Sequence, residues 1–230
     1  MVSRSHSHTH PTVLSASAAQ FAGIQHGHAV VKMCVSGAAE TGHCGLDVFE
    51  VAKNVGREIA RHGAVITTGA TTGFPMYAAM GAKEEGGFSI GFSPASTERE
   101  HIETYRLPLD YLDVTVYTGF GYTGRDLLLI RASDAAIFGC GRIGTINEFV
   151  VAFDDKKPIG ILEGTWEMDD ILHGIINGAN RPNAKIVFDS DPKALVEKLV
   201  ELVKKEKAET NLVYKNYDGL SGTGKGEVIL

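Results

Sequence analysis

A single-domain α/β fold with a doubly wound, mainly parallel sheet of about seven strands and helices on both faces is predicted by three observations. Short β-rich apolar runs alternate with stretches of helical spacing along most of the chain. Those runs are nearly continuous in apolar residues, as strands buried on both faces require. Three of the turns that follow them are glycine-rich, at the sheet edge where such folds bind ligands. With 230 residues, 43% hydrophobic and 22% charged, the chain can build one substantial Rossmann-like core without a second domain.

Ala29 to Ser36 reads as the first buried strand and breaks at Gly37-Ala38 into a small-residue turn. From Asp47, Val48, Val51, Val55 and Ile59 fall at helical steps that stop at His62-Gly63, a glycine C-cap. Ala64 to Thr68 is a second strand, followed by the turn Gly69-Ala70-Thr71-Thr72-Gly73 and a helix reaching Glu85. Phe88 to Phe92 is a third, and Pro94 to Leu109 reads as a polar connection of the kind that borders binding sites. Val114 to Tyr117 is a strand, Tyr122 to Ala132 a helix, and Ala135 to Phe138 a strand feeding Gly139 to Gly144. A helix is expected to begin at Thr145, then a strand at Pro158 to Leu162, a helix at Trp166 to Ile176 and a strand at Lys185 to Phe188. Asp191-Pro192 supplies an N-cap and first-turn proline for a last helix with Leu195, Leu199 and Leu202 on one face. The domain is placed at residues 29–207, between a His-containing tail (1–28) and a C-terminal tail (208–230).

A net charge of -6 excludes a general affinity for nucleic acid or acidic membranes, which needs clustered Lys and Arg. A small ligand is expected instead. The chain shows neither a secretory leader nor an apolar run long enough to span a membrane, so a cytoplasmic protein is expected. Cys34, Cys44 and Cys140 lack CxxC spacing and read as reduced thiols. His43, His62, His101 and His173 have no ligand spacing either, so no metal site is expected. Gly219 to Lys225 imitates a P-loop, but Gly226 replaces the required Ser or Thr and too little chain follows for a helix.

The most informative stretch is Ala135 to Phe149. A strand ends in glycines that open directly into a helix, whose exposed N–H groups and positive dipole end attract phosphate. Gly141, Arg142, Ile143, Gly144 and Thr145 are candidate phosphate ligands; Gly37, Ala38, Gly69, Ala70 and Gly73 in the converging turns are candidate nucleotide contacts. Thr145 to Glu148 also has the spacing of a capping box, a structural alternative. Arg125 is a candidate fork for phosphate or ribose oxygens, with an ion pair to Asp126 as the alternative.

Thr67 to Met76, Gly86 to Pro94, Arg125, and Ser133 to Glu148 together resemble, in order and spacing, the LOG (Lonely Guy) family and the related molybdenum-cofactor carrier-like proteins. The resemblance spans about Val30 to Val203. It implies cleavage of the N-glycosidic bond of nucleoside 5′-monophosphates, giving free base and ribose 5-phosphate, with no cofactor. Gly141, Gly144, Thr145 and Glu148 match the family's Pro-Gly-Gly-x-Gly-Thr-x-x-Glu signature, and Arg125 falls at the place of its catalytic arginine. Glu148 and Arg125 are thus the implied catalytic residues, and a homodimer or higher homo-oligomer the implied assembly. Cys140 stands in place of the signature proline, Arg142 in place of its second glycine, and Asp126 where the enzymes usually have lysine. A non-catalytic nucleotide or pterin carrier is the alternative implied function.

Overall fold

The computed structural model describes residues 30–181 and 185–215, with side chains through residue 210. The expected N-terminal tail and the P-loop-like Gly219 to Lys225 lie outside the described residues. The chain runs β1 (Lys32–Ser36), α1 (Val48–Arg61), β2 (Val65–Thr68), α2 (Phe74–Glu84), β3 (Ser89–Ser93), α3 (Glu98–Glu103) and β4 (Val114–Tyr117). It continues through α4 (Gly121–Ala132), β5 (Ala135–Phe138), α5 (Ile143–Asp154), β6 (Ile159–Leu162), α6 (Met168–Gly178), β7 (Ile186–Asp189) and α7 (Pro192–Lys215).

The seven strands form one sheet in the order β4-β3-β2-β1-β5-β6-β7, and every pairing is parallel. The doubly wound α/β fold read from the sequence is therefore the fold observed. Central strands β5 and β6 are buried at every position, which accounts for their unbroken apolar runs. Edge strand β4 exposes Val114 and Val116. On the helical layers, α1 packs against α2 and α7, and α4 against α5. Leu195 and Leu199 of α7 are buried over Gly160 of β6.

Two elements differ from expectation. The connection 94–109 contains α3, capped by Thr97, whose hydroxyl accepts from the Glu100 N–H at 3.1 Å. The buried His101 anchors it, with Nδ1 at 2.8 Å from Ser93 Oγ and Nε2 at 3.0 Å from the Pro108 carbonyl. The α5 helix starts at Ile143, one half-turn ahead of Thr145, because Arg142 adopts the extended backbone of an N-cap.

Gly73 has φ of +71°, and the Ala38 and Ala39 carbonyls occupy the space its Cβ would need. This close approach lets the Phe74 N–H donate to the Ala38 carbonyl at 2.9 Å, tying the turn after β1 to the start of α2. Gly73→Ala should lower stability in urea unfolding by about 2 kcal/mol. An unchanged midpoint would contradict the close approach.

Candidate functional site

The turns after β1, β2 and β5 and the starts of α4 and α5 enclose a cavity of about 490 Å³ at the carboxyl ends of the strands. It sits between β1 and β5, where the strand order reverses and two turns diverge to leave a crevice. Gly37, Ala38, Gly69, Arg125, Arg142, Ile143, Gly144, Thr145 and Glu148 all line it. Three other candidates do not. Gly73 serves the turn into α2, and Ala70 is buried, its N–H donating to Thr68 Oγ1 at 3.3 Å. Gly141 turns its carbonyl to His43 Nε2 at 3.2 Å.

At one end of the cavity α5 presents its first N–H groups, which have no intrahelical acceptors. Ile143 and Gly144 leave this end open, since Ile143 is 80% exposed and nothing lies near the missing Gly144 side chain. The Arg142 guanidinium stands beside it, held by Glu40 at 3.2 Å and His43 at 3.4 Å. The Thr145–Glu148 capping box does not form. Thr145 Oγ1 accepts from the Arg142 N–H at 3.4 Å, while Glu148 turns inward to accept from the Ser36 hydroxyl.

Arg125 is buried in the floor of the site. Its Nη1 donates to the carbonyls of Gly69 and, at 3.0 Å, of Phe92, and its Nε donates to Asp126 at 3.0 Å. A side chain at residue 69 would collide with this guanidinium, so Gly69 serves the arginine as well as the cavity wall. The Arg125–Asp126 ion pair read as an alternative does exist. It is a buried pair rather than a surface one, and both of its residues line the cavity.

Glu148 completes a buried charged cluster at the floor of the cavity. Burial pushes its carboxyl up to about 8, and Asp126 adds to the rise by charge and hydrogen bonding; Arg125 and the Ser36 hydroxyl oppose it. One buried guanidinium balances one carboxylate, so the second carboxyl keeps its proton near neutral pH. Asn147 steadies the arrangement, its amide donating to the other Asp126 oxygen at 2.9 Å.

Ser36 and Tyr122 were not singled out in the sequence. Tyr122 lines the cavity with Arg125 5.9 Å from its ring centre. Ser36 is the last residue of β1, and that place at the carboxyl end of a central strand was a usable signal. The reading of three reduced thiols is corrected: Cys44 and Cys140 form a disulfide, and only Cys34 is free among the described cysteines. The pair is separated by 96 residues in sequence, and parallel pairing of β1 with β5 brings their turns together. The same contact gathers His43 with the two cysteines, a cluster that residue spacing did not foretell.

Fold and cavity define a Rossmann-like α/β protein with a cavity at the switch point of its sheet. A family model for the SLOG cluster4 family matches residues 30–196, and the chain belongs to that family. An uncharacterised protein of Archaeoglobus fulgidus is 29% identical over 133 residues, which is 58% of this chain and 82% of that protein. The molybdenum cofactor binding protein of Rippkaea orientalis superposes with a TM-score of 0.59 at 25% identity, covering 77% of this chain and 96% of that one. The molybdenum cofactor carrier protein of Chlamydomonas reinhardtii gives 0.60 at 25% identity, covering 76% and 99%. The resemblance to LOG-like and carrier-like proteins drawn from the motifs is thereby supported.

Native Glu148 holds its proton up to about pH 8, whereas its ordinary value is 4.5. Across that window the unfolded chain binds fewer protons, so the stability linked to this group falls as pH rises, by at most about 1.4 kcal/mol per pH unit. Urea unfolding of wild type and Glu148→Gln across this range should show a downward slope in the wild type that the variant loses. Parallel slopes would contradict the buried proton.

Proposed function

We propose that the cavity binds a nucleoside 5′-monophosphate and hydrolyses its N-glycosidic bond, releasing free base and ribose 5-phosphate. The observation that carries this reading is the buried Glu148, which accepts from the Ser36 hydroxyl, in the same cavity as the open start of α5. A phosphate against residues 142–145 meets helix N–H groups and the Arg142 guanidinium. The ribose then extends toward Glu148 and Arg125, and Tyr122 offers a ring face to the base.

A carboxylate beside the sugar stabilises an oxocarbenium-like transition state, and a proton held on that carboxyl adds a step before it. Glu148 gives its proton to the leaving base as the C1′–N bond breaks, and becomes a carboxylate as positive charge grows on the sugar. Water adds to C1′ and its released proton restores Glu148. Burial does most to keep the proton on Glu148, and Asp126, in the place where the family's enzymes usually carry lysine, adds to it.

The carrier reading is the second one, supported by the likeness to the two molybdenum cofactor proteins and by the bulk of Arg142 in the phosphate turn. We also place the protein in the cytoplasm, where nucleotides are abundant, and as a homodimer. Leu127 and Leu128 of α4 and Val150 of α5 form an exposed apolar face suited to a second copy. No helix among the described residues is long and apolar enough to cross a membrane.

Incubation with AMP and related monophosphates should release free base, with kcat/KM falling above about pH 8 as Glu148 loses its proton. Glu148→Gln should lower the rate by about 100-fold or more. Tight binding without product would favour the carrier. Release unaffected by Glu148→Gln would contradict the role of this residue.

A further inference from the structure

We propose that Cys44 and Cys140 form a reversible thiol–disulfide latch, opened by small cellular thiols, that sets how firmly the cavity holds a phosphorylated ligand. The second half rests on the nucleotide reading above; the latch itself does not.

The latch joins two opposite walls of the site. Cys44 lies in the turn after β1, whose residues Gly37 to Glu40 line the cavity. Cys140 lies in the turn after β5, two residues ahead of Arg142, and the two Cα atoms are 5.7 Å apart. Between Ala39 and Asp47 the first turn is mostly exposed, with glycines at 42 and 45 and Leu46 projecting into solvent. Besides the disulfide, the tie between the two turns is an Ala38 N–H donating to the Cys140 carbonyl at 2.7 Å, with outer contacts from Arg142 and His43. Removing the S–S bond leaves the Ala38 end of this wall tied and loosens its exposed stretch around Cys44, which the side-chain contacts of Arg142 and His43 alone then hold to the opposite turn.

His43 is placed to assist the exchange. Its Nδ1 lies 3.4 Å from Arg142 Nη2, and a guanidinium has donors only, so Nδ1 accepts and the neutral ring carries its hydrogen on Nε2. That Nε2 is 3.4 Å from the Cys140 sulfur, 3.7 Å from the Cys44 sulfur and 3.2 Å from the Gly141 carbonyl. A donor beside the Cys140 sulfur suits it to depart as a thiolate.

Both cysteines are buried, so a thiol reaches them when the turn opens. The thiolate attacks the Cys44 sulfur, forms a mixed disulfide there and releases the Cys140 thiolate. A second thiol attacks the mixed disulfide, leaving as the oxidised small disulfide and freeing Cys44. The protons lost by the two small thiols end on Cys44 and Cys140. The protein disulfide is thus reduced by two electrons as two thiols become one disulfide.

The test equilibrates the full chain in glutathione buffers of graded redox poise, then alkylates it after denaturation and counts adducts by mass. One adduct on Cys34 is expected at the oxidising end and three at the reducing end. Hydrogen exchange across residues 37–46 should be about tenfold faster in the reduced chain and in Cys44→Ser, and unchanged in Cys34→Ser. AMP should bind about tenfold more weakly to the reduced chain, because a wall of the site is no longer preorganised. Three adducts at every poise, exchange indifferent to reduction, or stoichiometric zinc binding by the reduced chain that blocks disulfide formation would overturn the latch. AMP bound by neither state, with loop exchange still responding, would overturn the nucleotide reading and leave the latch standing.

Discussion

The parallel pairing of β1 with β5 is the constraint on which the site depends. Met33 to Ser36 lie beside Ala135 to Phe138 in register, so the turns that leave these strands start side by side. One passes to α1 and the other to α5, and the chain's reversal at this point opens the crevice between them. The cavity, the phosphate turn and the disulfide all follow from that register. The same pairing sets the Ser36 hydroxyl against Glu148, although 112 residues separate them in sequence.

Charge in a dry site is the second constraint. Arg125 and Asp126 are neighbours on α4, and both are drawn into the floor of the cavity, where the guanidinium satisfies the main-chain carbonyls of Gly69 in a turn and Phe92 in β3, and one carboxylate. Adding Glu148 to this closed set leaves one carboxyl without a matching cation, and burial holds the proton on it. The start of α5 obeys a different rule: it is exposed, and what it offers is helix N–H groups and the Arg142 guanidinium. A single ligand with a charged end and a polar, less charged middle fits that gradient.

Much of this was legible in the sequence because it is local. Strand β5 and the glycines beyond it announce themselves by an apolar run ending in a turn, and β4 and β5 begin and end where their residues indicate. The short α3 carried a signal in Thr97 and Glu100, a helix-start spacing hidden inside a charged stretch. Other features are products of the fold. Asp126 beside Arg125 looks like any solvated pair until α4 turns both inward. Cys44 and Cys140 have no spacing to betray them, since a shared strand register alone makes them neighbours. Glycines mark where backbone must approach something without saying what: at Gly73 it is a carbonyl, at Gly69 the arginine.

The most direct test of the account is a crystal structure of Glu148→Gln soaked with AMP. The account predicts phosphate on the main-chain N–H groups at residues 143–145, beside Arg142, with the ribose against residue 148 and Arg125. Phosphate held elsewhere, or a nucleotide turned so that its sugar lies away from residue 148, would contradict it.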